Sequence, residues 1–209
     1  MAIPPDHNAM IAVAAKQVLG PLGLKRKGKS RIWIDDRGPW LFVVEFQPSG
    51  WSKGSYLNVA ASWLWQGTDF LAFDVPNRVG GFVSAEEGQD FLPLATRLAE
   101  LAKVEIIRLR GRFESLHDIL RYLETEEATA WTLYSLGIVR GWLGQPAEAR
   151  NAFQKLASQP AEYGWQKDLQ ARAIKMAALL GDEDAFQAAI RDAVASARVR
   201  EKLPGLDLA

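Results

Sequence analysis

The spacing of apolar side chains changes character once along this chain, and that change limits the folds open to it. From Arg31 to Trp65 apolar and aromatic residues alternate with a period of two, whereas from about residue 89 onward Leu and Ala recur at helical steps. Within the alternating region Asp35-Asp36-Arg37-Gly38-Pro39, Pro48-Ser49-Gly50 and Lys53-Gly54 are turn signals. They delimit strands at about 31–35, 40–47 and 55–65, with a short one at 24–27. Turns this short join antiparallel neighbours. Residues 66–88 read as loop.

The alternation separates two faces of the sheet. Trp40, Phe42, Val44 and Phe46 share one side with Leu57, Val59, Ala61, Trp63 and Trp65, and this is the expected core face. Leu41, Val43, Glu45, Gln47, Tyr56, Asn58 and Ser62 fall on the other. With Ile32 and Ile34 placed inward, Arg31 and Trp33 join this second, mixed face. One apolar and one mixed face is the pattern produced when helices cover a single side.

Two helices supply that cover. Met10, Ile11, Val13, Ala14, Val18 and Leu19 follow helical spacing after Asp6, a good N-cap, and stop at Gly20-Pro21. A second helix runs from about residue 89 to Gly111, with Pro93 harmless in its first turn. Beyond Gly111 the segments 113–124, 128–143, 147–156, 167–180 and 183–198 are helical, separated by short links that favour antiparallel hairpins. The expectation is therefore an α+β protein. Residues 1–110 form an antiparallel sheet with helices on one face, and 111–209 form an all-helical part of antiparallel hairpins, joined by a link short enough for direct docking. Leu203-Pro204-Gly205 reads as the start of a frayed tail.

An internal repeat at an offset of 37 sets Leu143-Gly144-Gln145-Pro146-Ala147 against Leu180-Gly181-Asp182-Glu183-Asp184, and Ala152-Phe153 against Ala189-Ile190. With Leu136-Gly137, Gly144, Ala149, Phe153 and Leu156, the stretch from Leu133 to Pro160 resembles a tetratricopeptide repeat, although Arg140 stands where that family has an aromatic residue. The resemblance makes Phe153 the buried aromatic of the hairpin. In the first part, Pro21-Leu22-Gly23-Leu24-Lys25-Arg26-Lys27-Gly28, Trp33, Val43-Val44-Glu45-Phe46-Gln47 and Tyr56-Leu57-Asn58-Val59 resemble a bacterial family known as domain of unknown function 4304. That likeness runs from about Asn8 to Arg110 and departs at Leu24, where the family more usually has an aromatic. It implies an α+β domain and supplies no catalytic residues.

Chemistry is narrowed by what is missing. The 209 residues include no cysteine, which excludes disulfides, thiolate zinc sites, iron–sulfur clusters and cysteine nucleophiles. His7 and His117 lie too far apart for a local metal motif, and both fall on expected helices. There is no Gly-rich phosphate loop and no Gly-x-Ser-x-Gly. The adjacent acids Glu86-Glu87 and Glu126-Glu127 read as solvated linker rather than acid/base pairs. A carboxylate-based magnesium or calcium site stays open in principle, but no calcium-loop spacing is present, and no cofactor or metal is expected. No stretch resembles a leader or membrane span, and the chain reads as cytoplasmic.

The strongest charge feature is Lys25-Arg26-Lys27-Gly28-Lys29-Ser30-Arg31, five cations in seven residues. Against a nucleic-acid reading, Lys+Arg and Asp+Glu both total 25, and neither half departs far from neutrality. Trp33, Trp40, Trp51, Trp63 and Trp65 fall within 33 residues, and an exposed Trp is a common partner anchor. The expected role is a non-enzymatic interaction or adaptor protein whose partner is another protein. The alternative is an enzyme or small-anion binder on the mixed sheet face, with Arg78 beside Gly80-Gly81 holding the anion. Either way the candidate surface is Arg31, Trp33, Glu45, Gln47, Trp51, Tyr56, Asn58 and Arg78.

Overall fold

A computed structural model describes residues 6–85 and 90–206. The Glu86-Glu87 pair and the start expected for the second helix lie outside them. The chain divides into two compact units: Met1–Trp63 with Leu71–Gly111, and Leu64–Phe70 with Arg112–Ala209.

The first unit opens with α1, His7–Leu19, capped by the Asp6 carboxylate, which accepts from the Asn8 amide. Five strands follow in the spatial order β1 (Lys25–Arg26), β2 (Ile32–Asp36), β3 (Trp40–Gln47), β4 (Gly54–Trp63) and β5 (Val75–Arg78). A sixth, β6 (Val83–Ser84), pairs with the start of β4, and every pairing is antiparallel. β5 and β6 lie in the stretch expected to be loop. Pro76 masks β5 in the sequence, yet on an edge strand its missing N–H costs no ladder bond.

Register settles the faces. Trp40 pairs with Trp63, Phe42 with Ala61, Val44 with Val59 and Phe46 with Leu57, so the expected core face of β3 and β4 is the observed one. The phase of β2 is the reverse of the expected one. Trp33 pairs with Val44 and Ile34 with Val43, which puts Trp33 on the core face and both isoleucines on the mixed face. Trp33 is buried, and Arg31, two residues earlier, turns to the same side as Trp33.

The helix α2, Leu92–Arg112, lies on that core face and buries Ala95, Leu98, Ala99, Ala102, Ile106 and Leu109. Two polar contacts fix it. Asn77 donates to Glu105 Oε2 at 2.9 Å, and Arg110 donates to Asp35 Oδ2 at 2.7 Å and to the Leu22 carbonyl at 2.6 Å. Asp35 is buried and also pairs with Arg37, so the carboxylate is neutralised from both sides.

The second unit holds α3 (Leu116–Thr125), α4 (Ala130–Trp142), α5 (Pro146–Ala157), α6 (Gly164–Leu179) and α7 (Glu183–Arg200). Among the described residues no strand follows Ser84. Ser115 and Asp118 form a reciprocal capping box at the start of α3, and the Ser115 hydroxyl bond is the main reason the Asp118 carboxyl lies below the usual carboxylate range. Gly144, at φ 72°, makes the left-handed turn between α4 and α5.

Two glycines on α4 admit aromatic rings. A Cβ on Gly137 would overlap the Phe153 ring, and one on Gly141 would overlap the Phe186 ring. Phe153 and Phe186 are both fully buried. Replacing Gly137 by Ala gains about 1 kcal/mol of helix propensity, but the ring beneath has no free space to enter. Overpacking of this kind costs about 1–3 kcal/mol. The expected net result for Gly137→Ala is a lower urea midpoint with an unchanged m-value; a midpoint at or above the parent's would show that the hairpin can open.

The turn Leu64–Gln66 belongs to this helical unit. Trp65, expected on the third strand, stands edge-on to Trp142 with ring centroids 6.1 Å apart. Gln66 donates to the Ser135 hydroxyl at 3.1 Å, and Arg172 donates to the Gln66 carbonyl. The expected frayed tail is held through Pro204, whose carbonyl accepts two bonds from buried Arg198, at 3.0 and 2.8 Å.

Candidate functional site

Of the eight residues singled out in the sequence, five meet on the mixed face, two lie at a separate cleft and Trp33 belongs to neither. On the mixed face, Glu45 pairs with Asn58, Gln47 with Tyr56, and Asn58 with Arg78. Directly opposed residues on antiparallel strands share a face, so these five side chains meet. Asn58 Nδ2 donates to Glu45 Oε2 at 2.8 Å and to Gln47 Oε1 at 2.9 Å. Arg78 donates from Nε to Asn58 Oδ1 at 3.2 Å and from its second terminal nitrogen to Gln47 Oε1 at 2.7 Å.

The Arg78 guanidinium also lies 4.5 Å from the centre of the Tyr56 ring. Tyr56 in turn packs against Phe82, a residue the sequence reading left in a loop, at 5.0 Å between centroids. These contacts tie together three strands and engage Arg78 with neighbours of its own chain. The arrangement orders the sheet surface.

Arg31 and Trp51 belong to a different place, and Trp33 to neither. Arg31 donates from Nε to Asn8 Oδ1 at 2.5 Å and from one terminal nitrogen to the Gly54 carbonyl at 3.2 Å and the Phe46 carbonyl at 3.5 Å. Its other terminal nitrogen lies 2.7 Å from His7 Nε2. A guanidinium only donates, so His7 Nε2 accepts and the ring proton sits on Nδ1, 2.9 Å from Asp6 Oδ1. The Asn8 side-chain bond chiefly holds the Asp6 carboxyl below the usual carboxylate range. Burial pushes the Arg31 guanidinium down from its ordinary value, with the charge of Asp6 acting against that shift.

Beside this chain of contacts an open cleft of about 510 Å³ is lined by His7, Asn8, Arg31 and the 48–54 turn. It contains neither Glu45 nor Arg78. The turn is shaped in part by the Trp51 amide donating to Ser49 Oγ at 3.1 Å. It holds the Trp51 side chain 98% exposed at the cleft, with Lys53 two residues on. Sequence reasoning missed His7, Asn8 and Lys53. Their only signals were partial and on separate segments: the polar start of the first helix and the Lys53-Gly54 turn.

The two arginines of that basic run go to different places. Arg26 turns back to bond the Ser30 carbonyl at 2.6 Å and the Lys29 carbonyl at 2.9 Å, while Arg31 goes to the α1 side. In the helical unit Trp131 and Trp165 stack with centroids 5.9 Å apart and planes 4° from parallel, and Arg172 lies over Trp131 and Tyr134.

No group of three or more metal-ligating side chains occurs among the described residues, and no helix among them is long and apolar enough to cross a membrane. Comparison with family models, with curated proteins and with solved structures finds no match to this chain.

Proposed function

We propose that this protein acts by binding another protein and catalyses no reaction of its own. The observation that supports this reading is Trp51. Its indole is 98% exposed on a turn where the neighbouring backbone is hydrogen-bonded, next to an open cleft. Leaving so large an apolar side chain in water serves no packing purpose, whereas Trp is among the commonest energetic anchors of protein interfaces. The alternative of an anion on the mixed face is weakened by Arg78, which donates to Asn58 and Gln47 and stacks on Tyr56.

The test places a photo-crosslinking amino acid at position 51 of the full chain in its host cells, with exposed Lys155 as the control position. A discrete protein adduct from position 51 and none from 155 is the expected result. No adduct at 51, or the same set of adducts from both positions, would overturn the proposal. Trp51→Ala should also abolish co-purification of the adduct protein while changing unfolding free energy by less than about 0.5 kcal/mol, the usual range for surface substitutions.

A further inference from the structure

We propose that the cleft between the start of α1 and the 48–54 turn receives the carboxylates of a short acidic peptide segment, with Trp51 covering an apolar side chain beside them. This deepens the protein-binding reading and rests on it. Among the described residues, the charged side chains lining the cleft are Arg31 and Lys53, both cations, with no Asp or Glu beside them in the lining.

Arg31 is half-buried, and its four contacts are to an amide oxygen, two main-chain carbonyls and a neutral imidazole. Among the described residues it has no carboxylate within ion-pair distance, and one of its five N–H groups remains without an acceptor. Asp6, whose charge acts on Arg31, is engaged by His7 and Asn8. Taking a charge partly out of water is costly unless an opposite charge joins it. A carboxylate entering the cleft would meet that guanidinium edge and the Lys53 ammonium together.

The volume, about 510 Å³, suits a few side chains and not a folded surface. A nucleic-acid strand would need a row of cations following its phosphates. Here there are two, and no other member of the basic run lines the cleft.

The experiment titrates the ¹⁵N-labelled full chain with acetyl-Leu-Asp-Asp-Leu-amide, with its Asn-Asn counterpart, and with an oligothymidylate of eight nucleotides. The expected result is saturable shifts of the Trp51 indole N–H and of backbone amides 49–54 with the acidic peptide alone. Lys53→Glu should weaken that binding roughly five-fold, the effect of losing and reversing one exposed charge contact. Arg31 is left intact because it supports the Phe46 and Gly54 carbonyls.

Equal shifts with the Asn-Asn peptide, no shifts with any probe, shifts with the oligonucleotide in place of the peptide, or an unchanged affinity for Lys53→Glu would each overturn the inference. If the position-51 adduct forms while the acidic peptide is silent, the protein-binding reading stands and the acidic-segment inference alone fails.

Discussion

Phe153→Ala is expected to lower the unfolding free energy by about 3–5 kcal/mol, the range for emptying a large aromatic from a core. Phe153 is 1% exposed on α5 and fills the space left by Gly137 on α4, with the Tyr134 ring 6.1 Å away. A glycine wall has no side chain that could swing into the vacancy, so the cavity persists and the penalty sits toward the upper end. Equilibrium urea unfolding measures it, and a change under about 1 kcal/mol would show that the ring is not a core element. A second measurement isolates the Gly137 contact. In the Phe153→Ala background the methyl of Gly137→Ala enters vacated space, so the double variant should be more stable than the sum of the two single losses predicts. Strict additivity would mean that the two positions do not share one space.

The other large effect is expected from ending the chain at Arg110. That fragment keeps Leu64, Trp65 and Gln66, each at most 4% exposed in the full chain, but lacks Trp142, Ser135 and Arg172, which contact Trp65 and Gln66. Fully burying a large apolar side chain contributes roughly 1.5–3 kcal/mol, and exposing an indole and a leucine side by side also creates a sticky surface. The fragment should therefore show red-shifted Trp emission and a lower melting temperature, or aggregate. Native-like emission together with an unchanged melting temperature would show that residues 1–110 stand alone.

What the sequence made legible depended on where polar residues broke the alternation. In β3 the polar pair Glu45 and Gln47 fixed the phase, and the faces of that strand and of β4 followed. β2 reads Ile-Trp-Ile, apolar at both parities, so nothing local decides which side faces the helices. A one-residue shift of phase exchanges every side chain between faces, and it placed Arg31 and Trp33 wrongly. Glu45, Gln47, Tyr56 and Asn58 of the mixed-face cluster were legible because they come from strands joined by readable turns, whereas the strand that carries Arg78 was hidden by Pro76. The cleft was not legible, because His7, Arg31 and Lys53 come from a helix start, the approach to a strand and a hairpin turn, brought together only by the packing of α1 on the sheet. Trp65 continued the alternation of β4 in spacing alone, and its partners lie on a helix far along the chain.

The turn at Leu64–Gln66 also sets a timetable. Gln66 bonds a serine 69 positions later and an arginine 106 positions later. Helical hairpins usually gather their cores from close neighbours and fold fast for that reason, but this bundle depends on a piece of backbone synthesised well before its own helices. At ribosomal speeds of about five to twenty residues per second, the indole of Trp65 waits on the order of 4–15 s before Trp142 has been made. Throughout that interval the nascent chain carries an unclaimed aromatic, and codon choice or chaperone supply between Arg112 and Trp142 becomes part of how reliably the protein is born folded.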